Sequence, residues 1–182
     1  EELWGWIHSM PNLIEDTIRA AEKEVVELAS HYAGASRFIF LGSGVNFATA
    51  LEGRLKLLEI AYAPSLAAPR LDGLALRCLG DGTIAIFVCP SIDGPSKELL
   101  NDANEASHVG FKVVILTREC YAEELKGLAD HTICLPVPEG LPEVLTPLPF
   151  IVPLQLFAYY VSVNRGLNPD KPRNLAKSVT VR

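Results

Sequence analysis

Three runs, "TIAIFVCP", "FKVVILTR" and "HTICLPVP", constrain the fold most strongly. Their apolar residues follow one another without the alternation of a half-exposed strand, so both faces of each strand must be covered. "RFIFLGSG" has the same character and runs into glycines. Between these runs lie segments with helical periodicity. "PNLIEDTIRAAEKEVVELASHYAGA" spaces Leu13, Ile14, Ile18, Ala21, Val25 and Leu28 as one helix face, with Pro11 near its start and Gly34 near its end. "NFATALEGRLKLLEIAY", "PSKELLNDANEASHVG" and "AEELKGLA" are the other intervening helices, and "PFIVPLQLFAYYVSVNRG", with Pro153 in its first turns and Gly166 at its end, is a helix packed on the sheet. Buried strands alternating with helices predict an α/β fold: a doubly wound, three-layer αβα sandwich around a parallel sheet of four or five strands. The Pro-rich stretch from Pro136 to Pro153 reads as a connection into the last helix.

Composition limits the function classes. A chain of 182 residues, 49% of them hydrophobic, builds one substantial core rather than two full domains. Its formal net charge of −6 argues against general binding to nucleic acid or to an anionic membrane, leaving phosphate recognition only as a local event. Cys78, Cys89, Cys120 and Cys134 form no C-x-x-C pair, and three sit in or beside apolar runs, so they read as reduced, buried residues of a cytoplasmic protein. No stretch looks like the run of about 18 apolar residues that spans a bilayer. The absent initiator Met, and an opening that enters a helix at once, lead to the expectation that a natural N-terminal part is missing.

In parallel sheets ligands bind beyond the carboxyl ends of the strands, which points to the first strand-to-helix turn, "LGSGVN". Gly42 and Gly44 would admit a ligand close to the backbone, and Ser43 offers a hydroxyl at a helix N-terminus; a tight structural turn needs the same glycines. Phe47 stands where a dinucleotide fingerprint would have its third glycine. Ser91, Gly94 and Ser96 form a second such turn, which suits phosphate binding or simple helix capping. On "ALEGRLKLLEIAY", Leu51, Leu55, Leu58 and Tyr62 make an apolar stripe, and Glu52, Lys56 and Glu59 make an ionisable one beside it. The ionisable stripe is either a surface ion-pair row or the edge of a cleft, with Glu59 as general base and Lys56 stabilising negative charge on a substrate oxygen.

"FLGSGVNFATALEGRLKLLEIAY", "PLPFIVPLQLFAYYVSVNRG" and above all the tail "PRNLAKSVTVR" resemble the second SIS (sugar isomerase) lobe of the glucosamine-6-phosphate synthase family, the glutamine-fructose-6-phosphate aminotransferases. The resemblance spans almost the whole chain. It implies a flavodoxin-like SIS domain over residues 1–166 and a tail over 167–182 that folds back across a sugar-phosphate site. It implies Glu59 as the base moving a proton between C1 and C2, Lys56 as its helical neighbour, and Lys177 as the tail lysine reaching the substrate. Ser43, Gly44, Glu52, Asp72 and Ala176 join them in the substrate-binding set. No cofactor or metal is called for.

One position departs from the family pattern. Where the family has a Lys-His-Gly-Pro core whose histidine serves ring opening, "APSLAAPRLDGLAL" has Asp72 before Gly73, and none of His8, His31, His108 or His131 aligns there. Either Asp72 substitutes, or the substrate arrives already open, or this lobe has lost the full activity. The resemblance also implies a phosphorylated sugar as ligand, a first SIS lobe in the same protein that carries most phosphate-binding hydroxyls, and a homodimer. The expected function is therefore aldose-ketose interconversion of a hexose or amino-sugar phosphate by one half of a two-lobed enzyme. An amino-sugar-phosphate deaminase or deglycase and a non-catalytic phosphosugar-binding regulatory module are the alternatives.

Overall fold

The computed structural model describes residues 2–72 and 79–174. In chain order the elements are α1 (Glu2–Tyr32), β1 (Phe38–Gly42), α2 (Asn46–Ile60), β2 (Ser65–Ala68), β3 (Ile84–Val88), α3 (Gly94–His108), β4 (Lys112–Arg118), β5 (His131–Leu135) and α4 (Pro147–Asn164). The five strands form one sheet in the order β2-β1-β3-β4-β5, all neighbours parallel. The expected α/β sandwich is present, with the larger of the two strand numbers.

Every residue of β1 and β3 is buried, which explains their unbroken apolar sequences. Phe38, Phe40, Ile84 and Ile86 share one core with α1, α2 and α4, whereas Ile39, Leu41, Ala85 and Phe87 share a second with α3. The chain steps from β1 outward to β2 and then returns to β3 on the other side of β1. The carboxyl ends of β1 and β3 therefore flank the crevice of the sheet.

Several expectations change. Helix α1 begins at Glu2, so Pro11 lies inside it rather than near its start. The segment "AEELKGLA" is a series of turns after a 3-10 turn at Glu119–Tyr121, because Gly127 takes φ +82° and so short a stretch does not pay for helix nucleation. "SLAA", not among the strands expected from the sequence, is the edge strand β2; Pro64 and Pro69 bracket it where only one side pairs. Among the described cysteines Cys89 is buried, but Cys134 is half-buried and Cys120 exposed, since β5 lies at the sheet edge and Cys120 beyond β4. Residues Glu143–Asn164 are long and apolar enough to cross a membrane by length and composition, contrary to the sequence reading. In the fold α4 is a core helix, with Phe150, Leu154, Phe157 and Val161 buried against α1, α2 and the sheet.

The Asp130 carboxylate, just before β5, accepts the Val113 amide at 2.8 Å and the Lys112 ammonium at 3.1 Å. Burial pushes this carboxyl up, but the Val113 hydrogen bond and the Lys112 charge together hold it below its usual range. Folding then binds its proton less tightly than the unfolded chain does. The contribution is present above the ordinary carboxylate pKa of about 3.9 and is lost as pH falls through the folded value. The deficit of Asp130→Asn in urea midpoint is expected to shrink as pH falls below about 4. A deficit independent of pH would mean that charge has no part in it.

Candidate functional site

Helix α2 carries most of the expected site residues, and the structure turns it in an unexpected way. Its core-facing residues are Asn46, Thr49, Ala50, Gly53 and Leu57, small or polar except for the last. A Cβ on Gly53 would come within 2.6 Å of Leu154 and 3.1 Å of Phe40, so glycine is what lets α2 seat between β1 and α4. Leu51 and Leu55, read as the apolar stripe, are 41% and 40% exposed. The ionisable stripe is more covered: the side chains of Glu59 and Lys56 are 20% and 31% exposed.

Lys56 Nζ donates to Glu59 Oε2 at 2.6 Å and lies 3.5 Å from Glu52 Oε1. The Glu59 hydrogen bond raises the Lys56 ammonium above its usual range; burial opposes this, and Glu52 reinforces it. A lysine so held stays charged through the neutral range. The structure thus brings Glu52, Lys56 and Glu59 together as a partly desolvated carboxylate–ammonium–carboxylate row. Such a row can move a proton and balance a developing oxyanion.

Ser43 and Gly44 lie elsewhere. They precede α2, whereas Glu59 is in its last turn, roughly 20 Å away along a helix rising about 1.5 Å per residue. Ser43 lines a cavity of about 360 Å³ at the carboxyl ends of β1, β3 and β4, together with Ser91, Gly94, Ser96, Arg118 and Glu143. Gly44 takes φ +56°, the conformation that turns β1 into α2. The close approach that Gly42 permits is to the Asn46 carbonyl. Ser91 Oγ accepts the Asp93 amide at 2.9 Å, so it shapes the turn before α3.

Sequence reasoning missed Arg118, whose buried guanidinium reaches the cavity from the end of β4. Its Nη1 donates to the carbonyls of Pro138 and Glu139 at 2.7 and 2.6 Å. Asp93 and Glu139 also line this cavity, so its fixed charge is predominantly negative and its remaining surface hydroxyl-rich. A lone arginine ending a hydrophobic strand gave no pattern to read.

Asp72 is exposed and follows a pinned loop: Arg70 makes a bidentate pair with buried Asp102, at 2.6 and 2.8 Å, and the Leu71 amide donates to the same carboxylate at 3.0 Å. The ties fix the chain immediately before Asp72 against α3. Ala176 and Lys177 lie outside the described residues. The root of the tail is described, and it sits at the Glu59 end of α2. The Arg173 amide donates to the Tyr62 hydroxyl at 2.7 Å, and its guanidinium carbon lies 4.2 Å from the Tyr62 ring centroid.

A parallel α/β sandwich with a ligand-sized crevice at its switch point and an ionisable row on the first crossover helix defines a class, and the chain belongs to it: the SIS domain family, matched over residues 31–165. Among curated relatives, the glutamine–fructose-6-phosphate aminotransferase [isomerizing] of Pyrococcus horikoshii is 37% identical over 182 residues, covering 99% of this chain and 29% of that protein. Its counterpart in Mycobacterium tuberculosis is 40% identical over 180 residues, covering 96% and 28% respectively. The chain thus spans under a third of the length of these relatives. Among solved structures, the C-terminal domain of glucosamine-fructose-6-phosphate aminotransferase from Francisella tularensis shares the fold, with a TM-score of 0.83 at 24% identity over 93% of this chain and 47% of that one.

Proposed function

We propose that this domain is the lobe of a two-lobed sugar-phosphate isomerase that supplies the proton-transferring carboxylate, interconverting the ketose and aldose forms of a hexose phosphate such as fructose 6-phosphate, or of the corresponding amino-sugar phosphate. The observation that carries this reading is the half-buried Lys56–Glu59 pair, 2.6 Å apart, with the root of the tail bound to the next turn. The names of the aligned relatives, aminotransferases described as isomerizing, support the same reading.

In this mechanism Glu59 removes the proton from C1 of the open-chain ketose. The C–H electron pair becomes the C1–C2 double bond, and the carbonyl electrons move to O2. The ammonium of Lys56 stabilises that oxyanion, and Glu52 helps to hold Lys56 in place. Glu59 then returns its proton to C2 while the hydroxyl proton passes from O1 to O2, which leaves the aldose. One carboxylate performs both transfers because C1 and C2 are adjacent. Residues 1–166 form the body, and the tail at 167–182 brings Lys177 and Ala176 over the substrate, where Lys177 excludes water or holds the open-chain ketose. Asp72 takes the place of a ring-opening acid.

The phosphate falls to hydroxyls of a first SIS lobe, because the cavity at Ser43 is rimmed by the carboxylates of Asp93, Glu139 and Glu143. The lobes pair within a longer cytoplasmic protein that forms homodimers. Support for a longer protein comes from the relatives' extra length. The test is solvent deuterium incorporation into fructose 6-phosphate and glucosamine 6-phosphate, followed by NMR with the full-length protein and no glutamine. Incorporation at C1 or C2 is expected. Binding without incorporation would favour the regulatory module, and release of ammonia from glucosamine 6-phosphate without ketose–aldose exchange would favour a deaminase.

A further inference from the structure

We propose that Arg165 is a positioning residue for the proton transfer: it fixes the last turn of α2, which carries Glu59, and offsets the negative helix end beside that carboxylate; this rests on reading the Glu59–Lys56 row as the proton-transfer site. Helix α4 is mostly apolar, yet near its end Ser162 and Arg165, one helical turn apart, both turn toward α2. Buried Ser162 donates its hydroxyl to the Ile60 carbonyl at 2.9 Å, and Arg165 Nη1 donates to the Ala61 carbonyl at 2.9 Å. The other Arg165 nitrogens reach the segment just after α1: Nε donates to the Ala33 carbonyl at 2.7 Å and Nη2 to the Ala35 carbonyl at 2.8 Å.

The last carbonyls of a helix lack partners within it, and they carry the negative end of its dipole. Three such ends converge on this one guanidinium. Those of α1 and α2 do so through the bonds above, and that of α4 because the Arg165 amide itself closes on the Val161 and Ser162 carbonyls at 3.0 and 3.2 Å. Burial pushes the pKa of the guanidinium below its usual range, but an arginine keeps its charge in neutral water, and the carbonyls replace the solvent it has lost.

Glu59 is the penultimate residue of α2, and its 2.6 Å bond from Lys56 spans three residues, so it needs that turn to stay helical. The turn is not self-sustaining. The Ala61 and Ala63 amides crowd onto the single Leu57 carbonyl at 3.1 and 3.5 Å, and the chain then leaves through Tyr62 at φ +52°, a conformation that L side chains avoid. Such a turn persists where surrounding contacts hold it, and on the carbonyl side those contacts are Ser162 and Arg165. An unneutralised helix end would also disfavour both the Glu59 carboxylate and the oxyanion formed when it removes a proton. Arg165 therefore acts through Glu59, by place and by charge.

The test uses the full-length protein and reads kcat and KM for deuterium incorporation into fructose 6-phosphate, well below each variant's thermal midpoint. Arg165→Met removes the charge and all three carbonyl bonds, so kcat is expected to fall about tenfold or more while KM stays within about twofold. Arg165→Lys keeps a charge at the helix ends and should recover part of that loss; Ser162→Ala, which gives up one carbonyl bond and no charge, should lose less than Arg165→Met. Val114→Ala, a cavity at a fully buried position of β4, removes none of these bonds and is the control: it lowers the thermal midpoint and should keep wild-type kcat. Wild-type kcat in Arg165→Met would overturn the proposal, as would an equal kcat loss in Val114→Ala or a rise in KM with kcat intact. Should Arg165→Met not fold, unchanged kcat in both Arg165→Lys and Ser162→Ala would overturn it. Failure of the underlying reading looks different: Glu59→Gln would then keep full activity, whatever the Arg165 variants do.

Discussion

Glu59→Gln should slow deuterium incorporation at the substrate carbon by about 10² to 10⁴, the usual contribution of a positioned general base. Glutamine keeps the shape and one acceptor oxygen for Lys56, which donates to Glu59 at 2.6 Å, but it cannot take a carbon-bound proton. Sugar-phosphate binding, measured by calorimetry, should change far less than turnover. Glu52→Gln is the control on the same helix. Its oxygen is 3.5 Å from Lys56 Nζ and is more exposed than Glu59, so a loss of at most about fivefold is expected, the range for one exposed charge contact. Equal losses in the two variants would indicate that the row works through charge alone. Retained incorporation in Glu59→Gln would remove it as the base.

For stability the largest expected effect lies at Gly42, at the end of β1. A Cβ there would sit 2.3 Å from the Asn46 carbonyl oxygen and 2.9 Å from its carbon. Both atoms belong to backbone that cannot swing aside: Gly42 is in register with Val88 of β3, and Asn46 opens α2 with its side chain bonded to Thr146 at 2.8 Å. Gly42→Ala must therefore push α2 off the sheet. We expect a loss of about 3 kcal/mol, which for a domain of this size lowers the thermal midpoint by about 6–12 °C. Gly5→Ala, on α1 with nothing within 4 Å of the new Cβ, should gain about 0.5–1 kcal/mol from helix propensity. A Gly42→Ala loss below about 1 kcal/mol would mean that the turn relaxes, and the close approach would not be what requires glycine there.

The parts of the fold legible in the sequence were those that local pattern controls. Strands β1, β3 and β4 announced themselves because both faces are buried, and α1 through its periodic apolar face; β5 was found by its apolar run, but at the sheet edge only Ile133 and Leu135 of it are buried. Strand β2 is four residues long at an edge, with Leu66 exposed, and left no such signature. Helix α2 was found but its orientation was misread. Hydrophobicity pointed to Leu51 and Leu55, whereas close packing on Phe40 and Leu154 demanded Gly53 and Ala50 on the buried side.

The candidate site divides along the same line. Helical spacing alone placed Glu52, Lys56 and Glu59 in one row, because three and four residues nearly complete a turn of helix and the row needs nothing else. Placing Ser43 at the far end of α2 from Glu59 is likewise helix arithmetic, though the sequence reading grouped them in one substrate-binding set. By itself, then, the sequence determined the parallel sandwich, helices α1 to α4 and the ionisable row. Only the tertiary structure decided that this row is more covered than Leu51 and Leu55 beside it, and that Tyr62 takes a left-handed conformation and meets Arg173. Those outcomes depend on contacts more than 100 residues apart in the chain, between Ser162 or Arg165 and the end of α2 and between Tyr62 and Arg173, which no local periodicity encodes.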